Sequence, residues 1–255
     1  MCLILLAWRA DPDYPLVVAA NRDEFFARPA AEAGWWQDVP AVFAGRDLEA
    51  GGTWLGLSRN GRFAGLTNFR DPKRNRSGTP SRGALVADFL ASHESTAESL
   101  ARLTLEGPRY NAFNLFVSDG KTLGIYESES GAARVLEPGL YALSNHLLDT
   151  PWPKVVAGKS RLANALRALP DDTPLCELLR DDRPAADAHL PRTGVSLAWE
   201  RMLSSAFIRA PGYGTRCSTV IRRNRHGWTH VIESTWNAVG VETGRVAETF
   251  QVARG

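Results

Sequence analysis

Met1-Cys2-Leu3-Ile4-Leu5-Leu6-Ala7-Trp8, then Leu16-Val17-Val18-Ala19-Ala20 running into Asn21-Arg22-Asp23-Glu24, decide the fold. The turn Asp11-Pro12-Asp13-Tyr14-Pro15 separates them. Two short apolar runs across a Pro/Asp turn read as a β-hairpin. The first run has no basic segment before it and is too short to cross a bilayer, so it reads as a buried strand rather than a secretory signal. Cys2 precedes the run, whereas a lipoprotein cysteine follows one.

Outward from this hairpin, residues 53–58 and 62–68 flank Asn60-Gly61, the dipeptide that favours the tightest hairpin turn. Ser81 can cap a helix over residues 82–92, where Leu85, Phe89 and Leu90 form an apolar stripe. Ser95-Thr96-Ala97-Glu98 is a capping box opening a helix that Gly107 closes. Strands return at 112–118 and 122–127 around Asp119-Gly120, and at 134–137 and 140–145 around Pro138-Gly139. Helices are expected at 154–169, 174–180 and 196–206, and strands at 216–224, 228–236 and 245–252. This order lacks regular βαβ alternation. It points to an α+β protein whose antiparallel sheets are segregated from its helices, and a helix-covered sheet packed on a second sheet would give four layers. No linker or repeat interrupts the chain, so residues 1–255 read as one domain.

Composition narrows the function. The 255 residues are 44% apolar and 23% charged, enough for a sizeable core in an ordinary soluble protein. Thirty basic against 28 acidic residues leave a net charge of +2, which argues against a nucleic-acid surface. Three cysteines exclude a disulfide framework and favour a reducing, cytoplasmic setting. There is no phosphate-binding or dinucleotide loop and no H-E-x-x-H. His226 and His230 have no third ligand nearby, so no metal centre is expected. The partner is read as a small-molecule ligand or substrate, with neither nucleic acid nor a membrane span.

Cys2 carries the chemistry. Methionine is trimmed when the second residue is small, and a terminal cysteine then holds a thiol and an α-amine within one residue. The amine, with a pKa of roughly 7.7–8.0, can accept the thiol proton near neutral pH. Nucleophile and general base thus arrive together. Asp23, at the end of the paired strand, can orient the amine. Asn68 and Asn145 end strands where side-chain amides can stabilise an oxyanion, and Arg216 can favour thiolate. The run Arg70-Asp71-Pro72-Lys73-Arg74-Asn75-Arg76 is a solvated loop or a clamp for an anion.

These residues resemble the NRDE family, whose eukaryotic members form the transport and Golgi organisation protein 2 group. The resemblance rests on Met1-Cys2, Asn21-Arg22-Asp23-Glu24, Gly52-Thr53-Trp54-Leu55-Gly56, Leu66-Thr67-Asn68-Phe69-Arg70, Ser81-Arg82-Gly83, Leu143-Ser144-Asn145 and Gly214-Thr215-Arg216-Cys217-Ser218-Thr219. That family is similar to N-terminal nucleophile hydrolases of the choloylglycine and penicillin V acylase type. The resemblance implies an αββα four-layer sandwich with Cys2 exposed between the sheets. It implies Cys2 as nucleophile and base, Asp23 and Asn145 as contacts of the amine, Asn68 as oxyanion donor and Arg216 lining the site.

One departure concerns the arginine. The acylases resemble Arg-Asn-x-Asp, whereas here Ala20 holds that arginine's place and Arg22 adjoins Asp23. Strand neighbours face opposite ways, so Asn21 and Asp23 are expected to share the catalytic face. Arg22 would then point elsewhere as an ion-pair partner. Two functions are carried forward. One is a cysteine hydrolase of an amide, needing no cofactor. The other is a carrier using the same pocket, binding haem through His146 or acyl-CoA phosphates through Arg70, Lys73, Arg74 and Arg76, with Asn21 and Arg22 as further ligand contacts.

Overall fold

The first hairpin forms. In a computed structural model, which describes residues 2–253, β1 (Cys2–Trp8) pairs antiparallel with β2 (Leu16–Phe25), from Cys2 opposite Arg22 to Trp8 opposite Leu16. β2 also pairs with β12 (Tyr213–Arg223), and the sheet continues through β13 (Trp228–Trp236) to β14 (Glu242–Gln251). On its other side β1 pairs with β10 (Gly139–Leu143), while the short β11 (Arg209–Ala210) borders β12.

A second seven-stranded sheet runs in chain order from β3 (Ala30–Trp35) through β4 (Val42–Asp47), β5 (Leu55–Ser58), β6 (Phe63–Asn68), β7 (Phe113–Ser118) and β8 (Leu123–Glu127) to β9 (Ala132–Leu136). The β5–β6 turn places Gly61 at φ 82°, a left-handed conformation that glycine adopts without steric cost. Residues 26–29 and 137–138 each carry the chain from one sheet to the other, so Pro138-Gly139 folds no hairpin.

Alternation along the strands builds the layers. Ile4, Leu6, Val18 and Ala20 meet Phe43, Leu55, Phe63 and Phe116 between the sheets. Leu3, Leu5, Val17 and Ala19 leave the first sheet on its other face, under α3 (Pro153–Ala165) and α4 (Thr173–Leu178). Gly158 lets α3 approach closely, since a Cβ there would lie 2.8 Å from Leu5. α1 (Arg82–Ala91) and α2 (Thr96–Glu106) cover the second sheet through Val86, Phe89 and Leu103. The result is a four-layer αββα sandwich. Each buried Leu or Phe contributes about 1.5–3 kcal/mol, and all three interlayer cores are built from such residues.

The sequence reading missed β3 and β4. β3 is an edge strand, Ala-Ala-Glu-Ala-Gly-Trp, without a β-branched residue or a continuous buried face. The helix expected to reach residue 169 closes at Ala165 into a 3₁₀ turn, and the helix expected over 196–206 is the shorter α5 (Leu197–Leu203). Ser95 and Glu98 form the expected capping box reciprocally. Among the described residues, no helix is long and apolar enough to cross a membrane.

Candidate functional site

A cleft of about 410 Å³ opens at one end of the sandwich. Five of the sequence stretches quoted above border it: Cys2, Arg22-Asp23-Glu24, Thr53-Trp54, Ser81-Arg82-Gly83 and Arg216-Cys217, with Leu66 and Asn68 from a sixth. These residues come from both sheets and from the start of α1. Their convergence marks this cleft as the candidate site.

β1 presents Cys2. Its position opposite Arg22 directs both side chains to the same face, the one that carries Ile4 and Ala20 into the space between the sheets. Across β2, Cys217 stands opposite Arg22 as well, so Cys2, Arg22 and Cys217 form one row on the cleft side. The pleat holds as expected, but with the opposite sense. Arg22 shares the Cys2 side, where it bonds Asp47 at 3.3 Å, so it is both an ion-pair partner and a cleft residue. Asn21 directs its side chain toward the end of α4 and the segment after α5, and Asp23 turns its carboxylate to Thr215 of β12.

Asn21 is fully buried there. Its amide donates to the Leu179 and Ala206 carbonyls, both at 2.8 Å, and its oxygen accepts from Ser218 at 2.6 Å. Every one of these contacts is to protein, which removes Asn21 from the ligand-binding set. Asp23 accepts from the Thr215 hydroxyl at 2.8 Å, and the Tyr213 hydroxyl donates to its backbone carbonyl at 3.1 Å. Burial pushes the Asp23 carboxyl up, with Lys154 the largest charge pulling it back. Arg216 occupies a bulge in β12, between Thr215 and Cys217. Its guanidinium donates to the Phe25 and Arg28 carbonyls at 2.8 Å, anchoring the loop at the cleft mouth.

Asn145 is completely buried and does not border the cleft. Its amide donates to the Asn68 carbonyl at 2.8 Å, and its own carbonyl accepts from the Arg70 N–H at 2.8 Å. Next to it, the Ser144 hydroxyl donates to the Cys2 carbonyl at 3.2 Å. Ser144-Asn145 therefore clasps the ends of β1 and β6, the strands that carry Cys2 and Asn68. Buried hydrogen bonds of this kind stabilise by about 1 kcal/mol each, and orphaning a partner costs about 1–3.

Of the two readings of the basic run, a solvated loop or an anion clamp, the clamp does not form. Arg70 is buried against Glu200 at 2.9 Å, both side chains 4% exposed, and stacks over Trp152. A guanidinium so enclosed offers no face to a phosphate. Arg74 pairs with Glu129, and Arg76 bonds the Pro108 and Tyr110 carbonyls, outside the cleft. His146 lies between Phe69 and Trp152, with Nδ1 2.9 Å from the Thr150 hydroxyl, and burial lowers its pKa. It too stands apart from the cleft. Among the described residues, no group of three or more His, Cys, Asp or Glu is placed to hold a metal ion.

Burial pushes all three thiols up, Cys217 most strongly. Cys2 is thus a neutral thiol at rest despite nearby Arg22, and a base must take its proton before it can attack.

Three residues at or beside the site carry no role in the sequence reading, although Arg82 lies in one of its quoted stretches. Arg82 borders the cleft and donates to the Ala112 carbonyl at 3.1 Å; burial lowers its pKa, and a thiolate at Cys2 would be the largest charge opposing this. Glu233 accepts from the Ala33 N–H at 2.7 Å and the Thr219 hydroxyl at 2.8 Å, tying the sheets at the cleft wall. Lys154, in the first turn of α3, is buried, and among the described residues its ammonium has no hydrogen-bond partner. Each left a trace: an arginine directly after a helix cap, an acid inside an apolar strand, and a lysine where a helix begins.

A sequence profile of the family described as Transport and Golgi organisation 2 matches residues 1–238. The Transport and Golgi organization protein 2 homolog of Bos taurus is 37% identical over 269 residues, covering 96% of each chain. The homolog of that name from Homo sapiens is 37% identical over 244 residues, covering 87% of this chain and 88% of its own. Among solved structures, the Caenorhabditis elegans ortholog of N-acylethanolamine-hydrolyzing acid amidase superposes with a TM-score of 0.46 at 10% identity, over 86% of this chain and 92% of its own.

Proposed function

The chain belongs to the Transport and Golgi organisation 2 family, and on that premise we propose that it is a cysteine hydrolase that cleaves an amide at the cleft. The observation that carries this reading is Cys2, a neutral thiol held on β1 at the cleft wall, with Asn68 on the same cleft and Asp23 on the strand beside it.

Removal of Met1, which lies outside the described residues, leaves the Cys2 α-amine free. The amine takes the thiol proton as sulfur attacks the substrate carbonyl. Asn68 donates to the resulting oxyanion. When the tetrahedral species collapses, the carbon–nitrogen bond breaks, the α-ammonium returns its proton to the leaving amine, and a thioester remains on Cys2. Water then attacks the thioester with the amine as base, releasing the acid and restoring the thiol. Asp23 orients the amine, while Asn145 and Ser144 act at one remove by holding the strands of Asn68 and Cys2 together. Arg22, Arg82 and Arg216 line the cleft as donors for polar parts of the substrate.

The carrier reading draws less support. Arg70 is enclosed by Glu200 and Trp152, and His146 stands outside the cleft. The deciding experiment assays a panel of N-acyl amides and acyl-CoA thioesters for release, with intact-mass measurement of the same protein. A processed N-terminus and turnover lost in Cys2→Ala support the hydrolase. Retained Met1 in active protein, or turnover that survives Cys2→Ala, overturns it.

A further inference from the structure

Lys154 pays three costs at once. Its ammonium is removed from water, it has no hydrogen-bond partner among the described residues, and it is the second residue of α3, where the helix dipole disfavours a cation. Nothing in helix formation asks for a lysine there. α3 packs directly on β1 and β10, and Lys154 lines a cavity with Leu3 and Leu5 of β1, on the helical side of the sheet. Lys154 and Asp23 are each other's largest charged influence, and Lys154 also feels the Cys2 thiol.

Resting on the amine-as-base reading above, we propose that Lys154 is a positioning residue for the proton at Cys2: its buried ammonium balances the Asp23 carboxylate, so that the α-amine of Cys2 stands unprotonated when substrate arrives. A carboxylate alone beside an amine would hold it as ammonium, orienting the base while disabling it. A second cation on the same carboxylate removes that bias. Asp23 and the amine share one proton as a coupled pair, and a neighbouring positive charge lowers the affinity of the pair for it, whichever partner carries it.

The surrounding groups act in the same sense or are already neutralised. Arg70 faces Asp23 but is held by Glu200 from α5. From β12, Tyr213 is pushed up and stays a neutral phenol, while Thr215 donates to Asp23. Arg22 and Arg82 act on the thiol from the cleft side. Lys154 itself is lowered to about 8 by burial, so it is charged at neutral pH and responds strongly to its surroundings.

The test reads the amine without needing a substrate. Full-length wild type, Lys154→Met and Lys154→Arg are trace-labelled with acetic anhydride across pH 5 to 10, and acetylation of the N-terminal amine is followed by peptide mass spectrometry. Methionine keeps the volume and drops the charge, so folding is not threatened. In Lys154→Met the labelling midpoint should move to a pH higher by about one, which is about a tenfold loss of labelling at neutral pH that recovers at alkaline pH. Lys154→Arg should stay close to wild type. An unchanged midpoint on a free Cys2 amine, or a loss of equal size at every pH, overturns the role of Lys154 while leaving the hydrolase reading intact. A wild-type N-terminus that still carries Met1 overturns both, and wild type alone reveals it.

Discussion

Cys2 and Arg22 stand directly opposite each other on β1 and β2, and their side chains leave the sheet on the cleft side. Asp23, one residue further on, turns its carboxylate to Thr215 on the helical side. The thiol and the Arg22 guanidinium thus share one face, while the carboxylate works from behind the strand.

That geometry sets the reactivity of Cys2. Burial pushes the thiol up, and Arg22 is among the charges that draw it back. Arg22→Met should therefore raise the pH at which Cys2 becomes thiolate. Alkylation by iodoacetamide near neutral pH should slow several-fold, since a thiol whose pKa rises by one loses about nine-tenths of its thiolate there. Labelling rates across pH, resolved by peptide mass spectrometry, measure this. An unchanged Cys2 profile would assign Arg22 to the Asp47 ion pair alone.

The enclosed Arg70–Glu200 pair governs stability. Removing one partner leaves a buried charge unsatisfied, at a cost of about 3–5 kcal/mol. Arg70→Met is expected to lose that much in denaturant unfolding, and the double variant Arg70→Met/Glu200→Met should recover most of it. Charge reversal at exposed Lys73 should leave unfolding unchanged. Equal effects of the two single changes at Arg70 and Lys73 would show that burial of the pair does not control the site.

Much of this architecture was legible because local signals and tertiary structure agree. Asn60-Gly61 and the Ser95–Glu98 box act within a few residues, and the structure keeps both. The orientation of the Asn21-Arg22-Asp23 pleat was not legible, for a physical reason. β1 and most of β2 are buried on both faces, so no apolar/polar alternation marks which side meets the second sheet. Arg70 misled for a related reason. Its partner Glu200 is 130 residues away, and a charge run looks solvated until a distant acid is folded onto it.

Lys154 gives a pH signature that is independent of catalysis. Its pKa falls from an ordinary 10.5 in the unfolded chain to about 8 in the fold. Between those values the unfolded state binds more protons, so the lysine makes stability rise with pH over that window. Below about 8 both states are protonated and the full penalty is present. Lys154→Met removes it, so the variant should be more stable than wild type at pH 7, by on the order of one to a few kcal/mol. The two should converge toward pH 10.5. Urea unfolding of both proteins at several pH values tests this, and a variant less stable at pH 7 would refute it.

The Asn68–Asn145 hydrogen bond separates chemistry from scaffolding. In the hydrolase reading Asn68 borders the cleft and donates to the oxyanion, whereas Asn145 only holds the Asn68 carbonyl and backs onto Ser144. Asn68→Ala should cut kcat by about 100- to 1000-fold with little change in KM or stability, as loss of an oxyanion donor does. Asn145→Ala orphans the buried Asn68 carbonyl. It should cost about 1–3 kcal/mol, lowering Tm by roughly 2–4 °C per kcal/mol in a chain of this size. Its effect on kcat should be smaller than that of Asn68→Ala, because the oxyanion donor is displaced rather than deleted. Steady-state kinetics on an N-acyl amide that the wild type turns over, paired with thermal unfolding of both variants, distinguish the roles. If Asn145→Ala lowered kcat as far as Asn68→Ala at unchanged Tm, Asn145 would have to touch the reacting atoms, and the clasp between β1 and β6 would not be its main work.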